Sequence, residues 1–364
     1  MDIGVPRERR ASEYRVGITP ANVQTLHDEG HRIYVEQGAG VGSGYSDEDY
    51  RRAGATLVYS ADEAFARADL LLKVARPTPE ETGLLRSDQI VCGFLYLPAA
   101  RKSRVQSFLN NNVTAIGYET IQEDDGSLPV LQPISEVTGR MCAQVAARLL
   151  ENTSGGKGIL LGGVPGVAPA EVVILGGGVV GAQAARVFLG QGANVYLLDK
   201  DIKRLHYIDS LFMGRVITLM SNPLNVDKMV RFADVVVGAI QVPGARSPVL
   251  ISRELVRSMK RRSIIIDVAV TTGGCVETTR PTTHTAPTYI EEGVIHYCVP
   301  NMTGIVARTA THAFNNAAWP YIYSIASEGL DAAIEKSPSL ARGVNIRAGK
   351  IMLPGLAAAY TMSS

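Results

Sequence analysis

Cysteine, net charge and long apolar runs are what this chain has least of. Its four cysteines, Cys92, Cys142, Cys275 and Cys298, lie far apart with no C-x-x-C spacing. They suit a reduced cytosolic protein in which a thiol serves as a small buried apolar side chain. Against 36 Lys and Arg stand 35 Asp and Glu, a net charge of +1. That leaves no electrostatic case for nucleic acid or a membrane surface. No window approaches the ~20 apolar residues of a membrane helix. The opening MDIGVPRERR shows no signal-peptide hydrophobic region, so a cytoplasmic protein is expected. There are no repeats and no low-complexity tract, and no metal site is expected. What remains is an ordinary enzyme-like composition, 46% hydrophobic and 20% charged over 364 residues, long enough for about two domains.

Within it, one stretch is organised. Glu171 to Leu175 reads as a strand, and Gly176, Gly178 and Gly181 follow as G-x-G-x-x-G. A helical run closes at Gly192, and a second strand, Asn194 to Leu198, ends in Asp199. A dinucleotide site asks for this order. The first glycine allows the tight turn, the second lets backbone approach a pyrophosphate, and the third lets helix and strand pack closely. The helix start offers unpaired N–H groups and a positive dipole end. The acid about 20 positions on accepts hydrogen bonds from a ribose and disfavours a 2′-phosphate. The cofactor expected is NAD.

On either side the chain alternates strand and helix. Asp2 to Pro6, Arg32 to Gln37, Thr56 to Tyr59, Ala68 to Val74, Gln89 to Leu97 and Val113 to Tyr118 read as strands. Thr19-Pro20 reads as a helix start, and Ser135 as the cap of a long helix to Glu151. Beyond Asp199, strands near 216–221, 233–240 and 262–269 alternate with helices, and a long helix is expected over 309–326. Such alternation predicts doubly wound parallel sheets. The expected division is a substrate domain of residues 1–128 and 306–364, with the dinucleotide domain, 129–305, inserted in it. Arg15, taken alone, reads as an exposed surface arginine. Lys73 in LLLKVA is a lone charge in an apolar strand, either a snorkelling structural lysine or an ammonium tuned by burial.

The segments GVPRE, RVGITP, GSGYSDEDY, LLKV, GYET, SEVTGRM, GGKGILLGGVPGV, GGGVVG, DVAVTTGG, RPTT and NMTG resemble, in this order, those of the alanine dehydrogenase and transhydrogenase-domain family. The resemblance covers nearly the whole chain. It implies α/β architecture with two Rossmann-like domains, NAD between them, a homohexamer, and reversible oxidative deamination of a small L-amino acid. SEVTGRM is similar to the alanine dehydrogenase form. By residue, the resemblance implies that Arg15 pairs with the substrate carboxylate, for which a guanidinium fork is suited, and that Lys73 polarises the carbonyl or imine. It implies cofactor contacts at Ser135, Gly176, Gly178, Val179, Val180, Gly181, Asp199, Lys200, Arg204, Ser221, Ala239, Ile240, Val270, Asn301 and Met302.

Two catalytic positions depart from the family pattern. Tyr96 stands where the family has its acid/base histidine, and Thr271 where it has an aspartate beside the nicotinamide. Thr303 replaces the proline of NMPG. Tyr96 donates a hydrogen bond but is a poor base at its reference pKa of about 10. General acid–base catalysis is worth about 10²–10⁴-fold, so ordinary alanine turnover should be impaired and the site should accept a different polar or anionic group. His312, near the start of the last long helix, is a weaker replacement candidate than a solvated histidine. His284 and His296 need no special role. The expected function is an NAD-dependent oxidoreductase of the alanine dehydrogenase type with an altered substrate, a small amino or imino acid carboxylate. The alternatives are an elimination or cyclisation using bound NAD, a regulatory NAD-binding homologue, or a transhydrogenase-like carrier.

Overall fold

The computed structural model describes residues 1–240 and 246–362. The chain forms two compact units, residues 1–134 with 304–364 and residues 135–303. In chain order the first unit supplies strands β1 (Asp2–Val5), β2 (Arg32–Glu36), β3 (Thr56–Val58), β4 (Leu70–Ala75), β5 (Ile90–Phe94) and β6 (Thr114–Gly117). The second supplies β7 (Glu171–Leu175), β8 (Asn194–Asp199), β9 (Ile217–Met220), β10 (Val235–Gly238), β11 (Ile264–Asp267), β12 (Thr288–Glu291) and β13 (Val294–Tyr297). The chain then returns to the first unit for β14 (Val344–Arg347) and β15 (Lys350–Ile351).

Both sheets follow one rule. The first runs β15-β14-β6-β5-β4-β1-β2-β3 and the second β12-β13-β11-β10-β7-β8-β9. Stripped of antiparallel β14, β15 and β12, each is parallel in the order 3-2-1-4-5-6 of the doubly wound fold. β4 is buried at every position, as a strand covered on both faces must be. The order reverses beside β1 in one sheet and β7 in the other, and ligands of such sheets bind beyond the strands' carboxyl ends at that reversal.

Local chemistry sets most boundaries where the sequence places them. Thr19 caps helix Pro20–Asp28, with its hydroxyl 3.5 Å from the Asn22 N–H. Two expectations are corrected. Ser135 is not a cap: the helix spans Gln132–Leu150, so the serine lies inside its first turns. The strand expected over Gln89 to Leu97 stops at Phe94, because Tyr96 adopts a left-handed backbone, φ 44° and ψ 48°. The β12–β13 hairpin and the β14–β15 edge lie in segments with no strong alternation. All four cysteines are buried free thiols, as their composition suggested. Among the described residues no helix is long and apolar enough to cross a membrane.

Helix Val179–Gly190 packs on β7 through Gly181, where an added Cβ would lie 1.9 Å from the Gly176 carbonyl oxygen. Overpacking of this kind costs about 1–3 kcal/mol or more. A Cβ at Gly190, the last residue of the same helix, meets nothing within 4 Å. Gly181→Ala is therefore expected to lower the thermal midpoint sharply, while Gly190→Ala leaves it level or raises it. Equal midpoints for the two variants in a melting experiment would contradict the packing.

Candidate active site

In the second unit the candidate cofactor positions collect along the carboxyl edge of the sheet. Gly176 leaves β7 at φ +106°, and Gly178 is the N-cap of helix Val179–Gly190. No side chain caps that helix, its first turn carries no acid, and space around the Gly178 Cβ position is open. Its backbone donors are therefore presented to an approaching anion. Val179 is exposed and Val180 half-buried. Asp199 ends β8, 6% exposed. Its Oδ2 accepts from the Gly177 N–H at 2.6 Å and its Oδ1 from the Asp201 N–H at 2.9 Å. Arg204 lies 3.8 Å from Asp199, and Lys200 is exposed.

Ser221 follows β9 and donates its N–H to the Asp199 carbonyl at 2.9 Å. Ala239 and Ile240 follow β10, while Val270 and exposed Thr271 lie in the turn Val268–Thr272 after β11. Asn301 and buried Met302 come after β13; the Asn301 carbonyl is 2.6 Å from His284 Nε2. Ser135 is half-buried in its helix. An uncapped glycine-led helix start, with a fixed carboxylate at the neighbouring strand end, fits an adenine dinucleotide. Asp199 would take the ribose hydroxyls and Gly178 the pyrophosphate.

The first unit builds a charged centre at its own strand reversal. Lys73, in β4, is fully buried. It is not the lone charge its sequence suggests: Nζ lies 2.9 Å from Glu81 Oε1 and 3.4 Å from Glu8 Oε2. Glu8 arrives on the loop after β1, and its other oxygen accepts from the Val74 N–H at 2.7 Å. Glu81 is the N3 residue of a capping box on helix Pro79–Thr82, accepting from the Thr78 N–H at 2.8 Å. One carboxylate thus caps a helix and neutralises the lysine. Burial pushes the Glu8 carboxyl up, with Lys73 opposing.

Arg15 is not the surface residue expected either; it is 6% exposed. Glu13 grips it with a fork, at 2.7 Å to Nε and 2.5 Å to Nη2. Its loop lies against β4 because position 17 is glycine: a Cβ there would sit 2.2 Å from the Leu72 carbonyl oxygen. Arg10, Glu8, Glu13 and Arg15 line one cavity of about 530 Å³.

Tyr96 stands beside these groups. Its left-handed backbone costs a non-glycine residue about 1–3 kcal/mol, and two partners hold it there. Glu119 Oε1 accepts from the Tyr96 N–H at 2.6 Å, and Arg76 Nη1 donates to the Tyr96 carbonyl at 3.2 Å. The residue keeps 42% of its surface exposed. Its phenol is nonetheless pushed up, first by desolvation and then by Glu119, with Arg15 and Arg76 pulling the other way. His312 is exposed and engaged with Tyr45, 2.7 Å from its hydroxyl. His296 is buried between Thr278 and the Val294 carbonyl, a structural role.

Sequence reasoning found Arg15, Lys73 and Tyr96 but missed Glu8, Glu13, Glu81, Glu119 and Arg76. Thr78-Pro79-Glu80-Glu81 carried a legible capping-box signal; Glu8 and Glu119 carried none beyond lying in quoted motifs.

A dinucleotide cradle on one such sheet and a buried cation centre at the reversal of another define a two-domain, nicotinamide-dependent dehydrogenase. Comparison with known proteins gives the family. Residues 4–138 match the model of the alanine dehydrogenase/PNT N-terminal domain, and residues 142–354 that of the C-terminal domain. An alanine dehydrogenase of Methanococcus maripaludis is 47% identical over 100% of this chain and 97% of its own length. One of Mycobacterium tuberculosis is 45% identical over 97% and 95%. A solved L-alanine dehydrogenase superposes with a TM-score of 0.95, at 45% identity and full coverage of both chains. A Sinorhizobium meliloti transhydrogenase shares the fold, TM-score 0.83 at 23% identity, over 97% of this chain and 100% of its own. The chain belongs to the alanine dehydrogenase/PNT family and is an NAD-dependent, amino-acid-dehydrogenase-like oxidoreductase.

Glu119 offers a test of the centre. Burial raises its carboxyl to about 7, against the backbone N–H bonds that lower it. With the folded value above the unfolded one, stability from this group is present at pH below about 4.5 and is lost as pH rises through about 7. The loss is on the order of 3 kcal/mol. Melting midpoints of wild type and Glu119→Gln should lie closest near pH 4.5, where the carboxyl is neutral like the amide, and separate toward pH 8 as wild type alone loses stability. Parallel curves would contradict it.

Proposed function

We propose that this enzyme interconverts an amino acid other than alanine with its 2-oxo acid, using Arg15, Lys73 and Tyr96. The balance is amino acid, NAD⁺ and water giving 2-oxo acid, ammonium, NADH and a proton. Bound NAD supplies the hydride acceptor at its nicotinamide ring. Arg15, its plane set by Glu13, meets the substrate carboxylate at the cavity it lines with Glu8. Lys73 keeps its ammonium between Glu8 and Glu81, equipped to donate to a carbonyl or imine group and to pass a proton through Glu8. Tyr96, whose phenol burial keeps protonated, donates a hydrogen bond and does not act as the base.

Thr271 adds a neutral hydroxyl where the family pattern has a carboxylate, so the reacting centre carries one negative charge less. The observation that carries the reading is the buried Arg15–Lys73 centre retained beside a strained Tyr96. A homohexamer is the accompanying expectation from the family resemblance.

The test follows NADH absorbance with NAD⁺ and a panel of L-amino acids. An amino acid other than alanine should give the highest kcat/KM. Lys73→Met should lower that turnover by about 10²-fold or more while NADH affinity, read by fluorescence titration, stays. Alanine as best substrate, or activity surviving Lys73→Met, overturns the reading.

A further inference from the structure

Four arginines near Tyr96 have no carboxylate partner. Arg9, Arg15, Arg32 and Arg67 of the same unit are neutralised, by Glu36, Glu13, Asp2 and Glu63. Arg10, Arg76, Arg101 and Arg104 form no ion pair within 4 Å among the described residues. Yet they stand close enough to act on one another: Arg76 feels Arg10 and Arg104, and Arg104 feels Arg10 and Arg101. Burial first, and then this crowding, pulls the Arg76 guanidinium down to about 10, with Glu119 opposing. The Nε atoms of Arg76 and Arg104 are both buried with no hydrogen-bond partner. A buried charged donor left unmade is costly; Glu119 acts on Arg76, and Glu80 and Glu81 on Arg104, but none of them forms an ion pair within 4 Å with either guanidinium.

The helix that carries Arg104 repeats the anomaly. Lys102–Asn110 has Arg101 at its N-cap, no side-chain cap and no acid in its first turn. Basic residues at the positive end of a helix are unfavourable. Lys102 turns aside, 5.3 Å over the Tyr360 ring. Arg101 and Arg104 remain beside an open, positive helix end. An anion held here would relieve the mutual repulsion, take the orphaned donors and satisfy the helix start at once.

Its place identifies the anion. The Tyr96 phenol lies within the influence of both Arg15 and Arg76, and Arg10 and Arg15 border the same cavity. A molecule whose carboxylate meets Arg15 would therefore extend along Arg10, which lines the same cavity, toward Arg76 and Arg104, on which Arg10 acts. We propose that the substrate is a dicarboxylic amino acid, the side-chain carboxylate of which binds Arg76 and Arg104 at the start of helix Lys102–Asn110. This rests on the proposed function for the role of Arg15. It goes beyond it in naming a second anionic group, and in explaining why a neutral Tyr96 suits a centre that already holds two carboxylates.

The experiment compares 2-oxoglutarate and oxaloacetate with pyruvate, each with NADH and ammonium. One dicarboxylate should exceed pyruvate in kcat/KM by tenfold or more. Arg104→Met should reduce that preference by about tenfold, chiefly through KM, since a charged hydrogen bond is worth about 1.5–3 kcal/mol. Arg104→Lys should restore part of it. Pyruvate as the preferred acid, an equal loss for both acids in Arg104→Met, or a loss of NADH affinity in its place overturns the proposal. If no acid consumes NADH, the proposed function itself fails. Calorimetric titration of 2-oxoglutarate and pyruvate then decides the subsite alone. Tighter 2-oxoglutarate binding that Arg104→Met weakens sustains it, and equal binding of the two acids removes it.

Discussion

The first unit depends on burying one ammonium at the end of β4. Taking an ion out of water costs several kcal/mol even after relaxation. Lys73 is fully buried, so its partners are obligatory. Glu8 comes from the loop after β1 and Glu81 from a one-turn helix after β4. The two loops that frame the strand reversal are thereby pinned to one side chain. The loop carrying Glu8 continues to Arg15, which Glu13 orients and Gly17 presses against β4. The segment between Lys73 and Glu81 contains Arg76, which steadies Tyr96. Neutralising a single charge organises every polar group of the centre.

The two sheets use the same topology for different chemistry. Where the second needs a backbone cradle, glycines remove side chains from the strand exit, and a carboxylate waits at the next strand end. Where the first needs charge, its strand exits carry Glu8 and Arg76. The strand order brings β1 beside β4 in one sheet and β7 beside β10 in the other. Strain is placed in the same spirit. Tyr96 is held left-handed by a carboxylate and a guanidinium, so a change in either is felt at its phenol.

Much of the fold could be read from residues alone. Continuous apolar runs such as LLLKV and VVVG marked buried parallel strands, and Thr19-Pro20 and Gly192 marked helix ends. The strand–glycine–helix–strand–acid order pointed to a candidate dinucleotide site, because each requirement there is local. The charged centre was only half legible. Arg15 and Lys73 stood out through the family resemblance, but their burial and partners did not. Glu8 bonds the backbone of Val74 across 66 residues, and Glu119 that of Tyr96 across 23. Such long-range polar pairings leave no periodicity in the chain. Ser135 misled because a serine before an acidic residue suggests a cap, whereas the preceding Gln132-Pro133 already starts the helix. The unneutralised arginines were invisible because charge balance is a property of neighbours in space.

The central claim is that Arg15 and Lys73 act on one bound substrate. The most direct measurement is a crystal structure of the protein soaked with NADH and a 2-oxo acid. The account predicts the acid's carboxylate within hydrogen-bond distance of the Arg15 guanidinium, and its 2-oxo oxygen within reach of Lys73 Nζ. An acid bound elsewhere, with Lys73 still sealed between Glu8 and Glu81, would contradict it.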